Sequence, residues 1–367
     1  MTYEIATLRG DGIGPEITDE GVKVLRAAAE VTPGLDLEFT QLAGGADHYA
    51  EHGEVAPDST WKTMRSAHAI LLGSMGHPDI RMPDGTEAQG HFIVNARKSL
   101  GLYAGVRPIK LYPGARGIDP NQKHVDLVLV RESTEGLFAS FGGGAEISGE
   151  VYADTMIVTR KGTERVARHA FELARTRSGR PQDGDRRVTC VDKANIFRSL
   201  AFFREVFDGV ATEYPDVTAD HALVDSFAML LIQHPERYDV LVTENMFGDI
   251  LSDLAAALVG GLGLAPSGDI GDEHAMFQPA HGSAPDIAGQ DKANPVATIV
   301  SGRMMLDWLA SRHDDDALRA AADVVERAVV TTMESGALTA DLGGELSCSQ
   351  FGDAVAATVR RLAAEAG

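Results

Sequence analysis

Short apolar runs alternate along the chain with longer segments in which apolar residues recur at helical spacing. Buried strands are predicted for five apolar runs, at residues 4–8, 69–72, 125–130, 188–191 and 240–243. Helices are predicted for four of the longer segments, at residues 16–29, 163–175, 197–213 and 249–258. Strands and helices that alternate in this way are typical of an α/β protein with a largely parallel sheet.

Polar and glycine-rich segments separate these elements. Residues 141–154 predict a protruding loop or short hairpin, residues 178–187 a Pro/Gly-rich linker, and the acidic run 313–316 a solvated helix start. Residues 10–15, after the first strand, form a glycine turn that is not a Rossmann fingerprint, because Pro15 stands where the third glycine is required. Free amide donors at the start of the following helix can still hold part of a ligand.

Charge and composition exclude several classes of protein. Among 367 residues, 54 acidic against 33 basic side chains give a net charge of −21, which argues against nucleic-acid and anionic-membrane partners. Two cysteines, Cys190 and Cys348, are too few for a disulfide framework and are expected to be buried thiols. Neither a signal-peptide pattern nor an apolar run of spanning length occurs, so we expect a cytoplasmic protein.

Two sets of charged residues suggest a site for an acidic substrate. Arg97, Arg107 and Arg131 lie within 35 residues, and converging guanidinium groups would hold a di- or tricarboxylic acid in bidentate pairs. Three unrelated surface arginines would show the same spacing. Asp249 and Asp253 are four residues apart on one helix face, a pair that suits Mg²⁺ or Mn²⁺. Their alternative role is to stabilise the helix N-terminus.

Two further segments carry candidate chemistry. Lys193 follows the predicted strand at residues 188–191 and would serve as a general base if burial lowered its pKa, whereas most lysines face solvent. Residues 281–294 are polar and rich in small side chains, which permit close approach of a ligand. Asp286 within this segment can accept hydrogen bonds from ribose hydroxyls.

Five motifs then occur in the order in which they stand in the β-decarboxylating dehydrogenases. They are Gly10-Asp-Gly-Ile-Gly-Pro-Glu16, the spaced arginines, Val191-Asp-Lys-Ala-Asn195, Asn245-Met-Phe-Gly-Asp-Ile-Leu-Ser-Asp253 and His281-Gly-Ser-Ala-Pro-Asp286. The chain resembles this family, which includes 3-isopropylmalate, isocitrate, homoisocitrate, tartrate and D-malate dehydrogenases. Its motifs stand closest to those of the 3-isopropylmalate enzymes.

The resemblance implies a non-Rossmann α/β fold of two domains. Residues 1–102 plus 260–367 would form a discontinuous cofactor-binding domain, and residues 103–259 a middle domain for substrate, metal and dimerisation. The implied activity is oxidative decarboxylation of a 3-substituted (2R)-malate by a homodimer with sites shared between its subunits. NAD and Mg²⁺ or Mn²⁺ are the implied cofactors.

The resemblance also assigns roles to individual residues. Arg97, Arg107 and Arg131 would grip the substrate carboxylates. In the other subunit, Lys193 would take the hydroxyl proton and Asp225 would join Asp249 and Asp253 at the metal. Further substrate contacts would come from Ile93, Val94 and Asn195. The residues assigned to NAD are Ile13, His281, Gly282, Ser283, Ala284, Pro285, Asp286, Ile287 and Asn294.

A few residues predict which cofactor and which C3 group of the substrate are preferred. The Asp286 carboxylate would accept from the ribose 2′-hydroxyl and repel a 2′-phosphate, which favours NAD over NADP. Ile93 and Val94 offer an apolar wall for a 3-isopropyl group, while a tartrate, D-malate or other 3-substituted malate enzyme is the alternative.

Three positions depart from the family pattern. Phe138 lacks the tyrosine hydroxyl that assists protonation at C3, Gln278 replaces a glutamate, and Gly90 stands where a glutamate often lies near the nicotinamide. Phe138 suggests an alternative from another class, a catalytically weak regulatory paralogue. Retention of the arginines, Lys193 and the aspartates argues against that alternative.

Overall fold

The computed structural model describes residues 1–119 and 124–366. The strands are β1 (Thr2–Leu8), β2 (Asp36–Leu42), β3 (Ala69–Leu72), β4 (Ala104–Lys110), β5 (Asp126–Glu132), β6 (Ala145–Ile147), β7 (Val151–Ala153), β8 (Arg187–Asp192), β9 (Thr218–Leu223), β10 (Val240–Thr243), β11 (Pro266–Ile270) and β12 (Ala275–Pro279). The helices are α1 (Gly14–Val31), α2 (Ala46–His52), α3 (Asp58–Ser66), α4 (Ala88–Leu100), α5 (Arg160–Thr176), α6 (Arg198–Ala211), α7 (Val224–Gln233), α8 (Asn245–Ala256), α9 (Val296–His313), α10 (Asp316–Glu334) and α11 (Cys348–Ala366).

A mixed sheet runs through the molecule. Within the described ranges, its ten strands lie in the order β2-β1-β3-β12-β11-β4-β5-β10-β8-β9. Strands β2, β1, β3 and β12 are mutually parallel, as are β5, β10, β8 and β9. The two parallel halves run in opposite directions, because β11 is antiparallel to β12 and β4, and β4 is antiparallel to β5. The predicted α/β class is confirmed.

Helices cover the sheet with contributions from both ends of the chain. On the half that contains β1, α1 packs against α9, α10 and α11. On the other half, α5 and α6 pack together, with Phe171 and Phe207 stacked at 5.3 Å. Helices α7 and α8 also contact each other but leave large apolar side chains exposed, among them Met229, Ile232 and Ile250.

The polar segments adopt structures close to those predicted, and one predicted strand is longer than expected. Residues 141–154 contain the exposed hairpin β6–β7. The strand predicted at residues 125–130 extends to Glu132 as β5, so that Arg131 lies within it. The acidic run links two helices, because α9 ends at His313 and α10 begins at Asp316, with Asp315 capping α10 by accepting from the Ala317 N–H.

The cysteines and the longest helices bear on two further expectations. Cys190 and Cys348 are free and buried, as predicted. Among the described helices, none combines the length and the apolar character that crossing a bilayer requires.

Candidate active site

The three arginines come from separate elements and meet in the interior. Arg97 lies in the last turns of α4, Arg107 in the middle of β4 and Arg131 near the end of β5, and all three are buried. Burial, and secondarily the charge of Arg97, lowers the pKa of Arg107 and brings that of Arg131 down to about 9. The arginines are therefore one buried cationic cluster and not unrelated surface residues.

Each guanidinium has its own set of partners. Arg97 donates from Nε and Nη2 to the two carboxylate oxygens of Asp269, at 3.1 and 3.2 Å. Arg131 donates from Nε and Nη2 to Asn245 Oδ1, at 2.8 and 2.6 Å, and forms an ion pair with Asp249. Arg107 donates from Nη1 to Ser252 Oγ at 3.2 Å.

One hydrogen-bond donor in the arginine cluster has no acceptor. Within the described residues the buried Nε of Arg107 has no hydrogen-bond partner. An unpaired buried donor on a cation costs free energy, and an anionic ligand beside it would remove that cost. The cluster is therefore suited to bind a carboxylate.

Asp249 and Asp253 lie on α8 beside these arginines. The N-terminus of α8 is capped by Glu244, which accepts from the N–H groups of Met246 and Phe247, so the two aspartates lie beyond the first turn. Stabilisation of the helix start is not their role, because that effect is confined to the first turn. Burial raises the pKa of Asp253, and the neighbouring Asp249 adds to that rise, whereas Arg107 opposes it. Such a pair is relieved by a cation between its oxygens.

Lys193 and Asp225 form an ion pair with each other. Lys193 Nζ lies 2.7 Å from Asp225 Oδ1, and this bond lowers the pKa of Asp225. The Asp225 side chain is 65% exposed, and Asn195 is exposed as well. In the part of the chain that the structure describes, neither member of the pair forms an ion pair with Asp249 or Asp253. Within the described ranges, Asp225 is also not grouped with Asp249 and Asp253 in an arrangement that could hold a metal ion.

The residues assigned to NAD lie where the glycine turn meets the polar loop. The Ile13 N–H donates to the Ser283 carbonyl at 2.8 Å, and Ser283 Oγ donates to the carbonyl of Gly76. A Cβ at Gly12 would lie 2.2 Å from the Ser283 oxygen, so only glycine permits this approach. Ile13 also packs in one apolar cluster with Ala284 and Ile287.

The polar groups of this loop differ in what they contact. His281 Nδ1 lies 2.9 Å from the Gly282 carbonyl, and burial lowers the pKa of His281. Asn294 Nδ2 donates to Asp341 at 3.0 Å. Gly282, Pro285 and Asp286 are exposed, and no hydrogen bond or ion pair engages the Asp286 carboxylate within the described ranges. That carboxylate is open to a ligand.

Sequence reasoning missed several residues that organise the site. Asp11 is buried and accepts from the N–H groups of Ala46, Asp47 and Gly76, at 2.9, 3.0 and 2.7 Å. Its place between two glycines of the turn is a signal that could have been used. Asp269 and Asp341 lie in segments for which no element was predicted, so no sequence pattern marked them.

The segment expected to meet the C3 substituent is the middle of α4. Val94 is buried and Ile93 is partly buried against a core cluster that includes Phe92, one turn before Arg97.

Two of the positions that depart from the family pattern lie beside charged residues of the site. The ring of Phe138 lies 4.9 Å from the Arg131 guanidinium carbon. Gln278 donates to Asp269 at 3.1 Å.

Comparison with known proteins decides the family. A family model described as isocitrate/isopropylmalate dehydrogenase matches residues 4–355. The chain belongs to the isocitrate/isopropylmalate dehydrogenase family. The resemblance drawn from the five motifs is confirmed, and with it the prediction of an oxidative, decarboxylating dehydrogenase.

Named relatives and solved structures of the family cover the whole chain. A 3-isopropylmalate/3-methylmalate dehydrogenase of Methanocaldococcus jannaschii is 41% identical over 98% of this chain and 99% of its own. A 3-isopropylmalate dehydrogenase of Zymomonas mobilis is 40% identical over 97% and 99%. The structure of an isocitrate dehydrogenase from Methylococcus capsulatus superposes with a TM-score of 0.85, at 37% identity over 98% and 99% of the two chains. The predicted α/β fold of this family is thereby confirmed.

Proposed function

We propose that this chain oxidatively decarboxylates a 3-substituted (2R)-malate with an apolar C3 group, of which 3-isopropylmalate is representative. The observation that carries the proposal is the buried arginine cluster beside the Asp249–Asp253 pair. Arginine forks pair with carboxylates, and aspartate oxygens bind a hard divalent cation. A 2-hydroxy acid with two carboxylates needs both kinds of group at once. The 3-isopropylmalate dehydrogenase names of several relatives support this substrate class.

The donor set fits Mg²⁺ or Mn²⁺ in an assembly of two chains. No group of three or more His, Cys, Asp or Glu within the described part of one chain is arranged to hold a metal ion. Asp249 and Asp253 would supply two carboxylates, and the exposed Asp225 of a second copy would supply the third. The cation, when bound, stabilises the negative charge that develops on oxygen during oxidation and decarboxylation.

The glycine turn and the polar loop fit NAD. Ile13 and the loop 281–287 lie together, Asn294 borders them, and the free carboxylate of Asp286 would accept from a ribose hydroxyl. NAD, when bound, accepts the hydride that leaves C2 of the substrate.

The side chains of the protein would then perform three tasks. Arg97, Arg107 and Arg131 hold and orient the carboxylates. Lys193 takes the proton of the C2 hydroxyl on its amine nitrogen, and Asp225 holds the ammonium group that this transfer forms. The carboxylate β to the new ketone leaves as CO2, and C3 is protonated by a group other than Phe138, whose ring has no donor.

The exposed apolar faces support a homodimer in which sites are shared. Met229 and Ile232 on α7, Ile250 on α8 and Phe197 at the start of α6 are all exposed. A face of this kind on soluble helices marks an interaction surface, and a two-fold axis would bury it against its own copy. Lys193 and Asp225 lie beside this face in sequence and would thus reach the partner's arginine cluster.

A substrate panel tests the proposal. The purified protein is assayed for NAD reduction with Mn²⁺ on (2R)-malates that carry hydrogen, methyl, isopropyl, hydroxyl or carboxylate-bearing groups at C3, while CO2 release is followed in parallel. We expect turnover of the branched apolar malates, with one CO2 for each NADH. NADH without CO2 would restrict the activity to oxidation, and no turnover of any malate would overturn the proposal.

A further inference from the structure

Asp269 is a buried acidic residue beside the arginine cluster, and no sequence motif predicted it. Asp269 on β11 is fully buried. Its two oxygens accept from Nε and Nη2 of Arg97, and one of them also accepts from Gln278 Nε2 at 3.1 Å. A carboxylate held on both oxygens by a guanidinium forms charge-assisted hydrogen bonds, which are stronger than those between neutral groups.

The register of three central strands places Asp269 in the cluster. Asp269 lies opposite Gly105 of β4, and Gly105 lies opposite Arg131 of β5. A Cβ at Gly105 would lie 2.7 Å from Ser133 Oγ, 3.4 Å from Arg131 Cβ and 3.5 Å from Asp269 Oδ1. Because Gly105 has no side chain, the acid and the arginine on either side of it share one face of the sheet with little between them.

This aspartate changes what Arg97 can bind. A guanidinium has two forked edges, and Asp269 occupies the edge formed by Nε and Nη2. In the described residues no other hydrogen bond engages the side chain of Arg97. One edge remains, which suffices for a single carboxylate, and its direction is fixed by the bidentate bond behind it.

The aspartate also sets the charge of the pocket. Its attraction acts beyond Arg97, since it opposes the lowering of the pKa of Arg107 and of Arg131 that burial causes. In the proposed dimer, three aspartates face the divalent cation and Lys193. On the other side, three arginines and Asp269 leave a net charge of two, which matches a dianion.

We infer that Asp269 is a specificity-determining residue that restricts the site to dianionic malates with an uncharged C3 group. This inference rests on the proposed function. Asp269 neutralises Arg97 from behind and aims its free edge at one substrate carboxylate, and Gln278 holds Asp269 without adding charge. A tricarboxylate would bring a third negative charge into a pocket that compensates two.

A second buried pair in the same sheet offers a matched control. Asp239 is fully buried and accepts from Arg177 Nε at 2.7 Å. Asp239 directly precedes the first residue of β10. Thr243, which pairs with Arg131, lies at the other end of that strand. Loss of its charge would remove a comparable buried ion pair without touching the pocket.

The test compares Asp269→Asn with Asp239→Asn in the full-length enzyme. The ratio of kcat/KM for 3-isopropylmalate to that for isocitrate is measured at low salt with NAD and Mn²⁺. Because one charge within a few ångströms acts strongly in a buried site, we expect Asp269→Asn to lower this ratio by at least about tenfold, through KM for the tricarboxylate. Asp239→Asn should leave the ratio unchanged. An unchanged ratio in Asp269→Asn, or an equal change in both variants, would overturn the inference.

A binding measurement on the wild-type protein keeps the inference separate from the proposed function. Stabilisation against thermal unfolding is recorded with a dianionic acid, 3-isopropylmalate, and with a trianionic acid, tricarballylate, in the presence of Mn²⁺ and without turnover. We expect the dianion to raise Tm more at equal concentration. If the trianion raises Tm as much, the inference is wrong even where malates turn over. If the dianion is preferred but no malate is oxidised, the proposed function alone fails.

Discussion

Arg131 shows how a single side chain connects the parts of the site. It contacts Asn245 and Asp249 on α8, and its guanidinium lies over the ring of Phe138. Burial lowers its pKa to about 9, which still leaves it charged at neutral pH. Because Asp249 balances part of this charge in the free protein, a cation that takes up Asp249 would release Arg131 to bind a carboxylate. Cation and substrate are thus expected to bind cooperatively.

The cofactor preference rests on one exposed residue. Asp286→Lys replaces the carboxylate that would repel a 2′-phosphate by a cation that attracts it, so the ratio of kcat/KM for NAD to that for NADP should fall by at least about tenfold. Steady-state kinetics with both cofactors measure the ratio. Glu273→Lys makes the same charge change in the turn between β11 and β12, at the end of β12 remote from the polar loop, and should leave the ratio as it is. No change in Asp286→Lys would contradict the assignment.

Phe138 offers a second prediction at this scale. Phe138→Tyr returns a hydroxyl to the position beside Arg131, and a positioned proton donor commonly contributes about 10²-fold or more to a rate. We expect 2-oxo acid formation to become several-fold faster relative to NADH formation, as followed in single-turnover experiments. Phe141→Tyr is the control, since it adds a hydroxyl to a nearby ring. An equal or slower rate in Phe138→Tyr would show that the site operates without this donor.

Among the elements, helix α4 carries both the apolar residues expected to set substrate specificity and the cationic Arg97. Its residues 93 and 94 lie one turn before Arg97, and side chains three or four residues apart share a helix face. A group at C3 of a malate whose carboxylate pairs with Arg97 would therefore meet Ile93 and Val94. The helix fixes the distance between the apolar wall and the cationic anchor.

Shortening that wall should affect large C3 groups only. For Ile93→Ala we expect kcat/KM for 3-isopropylmalate to fall by at least about tenfold, because even a single lost methylene contact in such a pocket costs about 1–3 kcal/mol. With D-malate, which has no C3 substituent, the same variant should match the wild type, and this comparison within one variant controls for folding. A uniform loss on both substrates would indicate a structural role.

Helix α5 gives a prediction about pH and stability. Burial lowers the pKa of His169 from 6.5 to about 4, and its ring packs edge-on to Tyr103 at 6.4 Å. The unfolded chain therefore binds more protons than the folded chain between these two values, and the free energy of unfolding declines as pH falls from 6.5 to 4. Urea unfolding at pH 7 and pH 5 should show a smaller decline in His169→Gln than in the wild type. The exposed His52→Gln should behave like the wild type.

At the scale of the whole molecule, the charged groups proposed to act in one reaction form two separate ion pairs in a single chain. Lys193 is paired with Asp225, while Asp249 is paired with Arg131. The exposed apolar residues of α7 and α8 lie close in sequence to both sets. A dimer across this face would bring the base of one chain to the arginines of the other.

Subunit mixing tests this arrangement. Lys193→Ala and Asp249→Asn should each abolish activity alone. After exchange of subunits, half of the dimers contain one of each, and one of their two sites is then intact, so about a quarter of the wild-type activity should return. Unmixed variants taken through the same exchange serve as controls. Absence of any recovery, despite exchange shown by mass, would place both residues in the site of one chain.

Several features could be predicted from the sequence because they depend on local or covalently fixed information. Apolar runs bounded by polar residues indicated β3 and β10 with their observed bounds, since a central parallel strand is apolar on both faces. Helix α8 and the shared face of Asp249 and Asp253 followed from helical periodicity. The five motifs indicated the family, because each ligand-binding loop is a short continuous segment of chain.

Only the tertiary structure decided how these parts meet. Strands β4 and β11 escaped prediction because glycine, proline and charged residues interrupt their apolar pattern, although both are central and buried. Their pairing aligned Asp269, Gly105 and Arg131, residues that are far apart in sequence and carry no joint signal. Strand register depends on long-range pairing and not on local spacing, so the charge of the pocket became visible only in the fold.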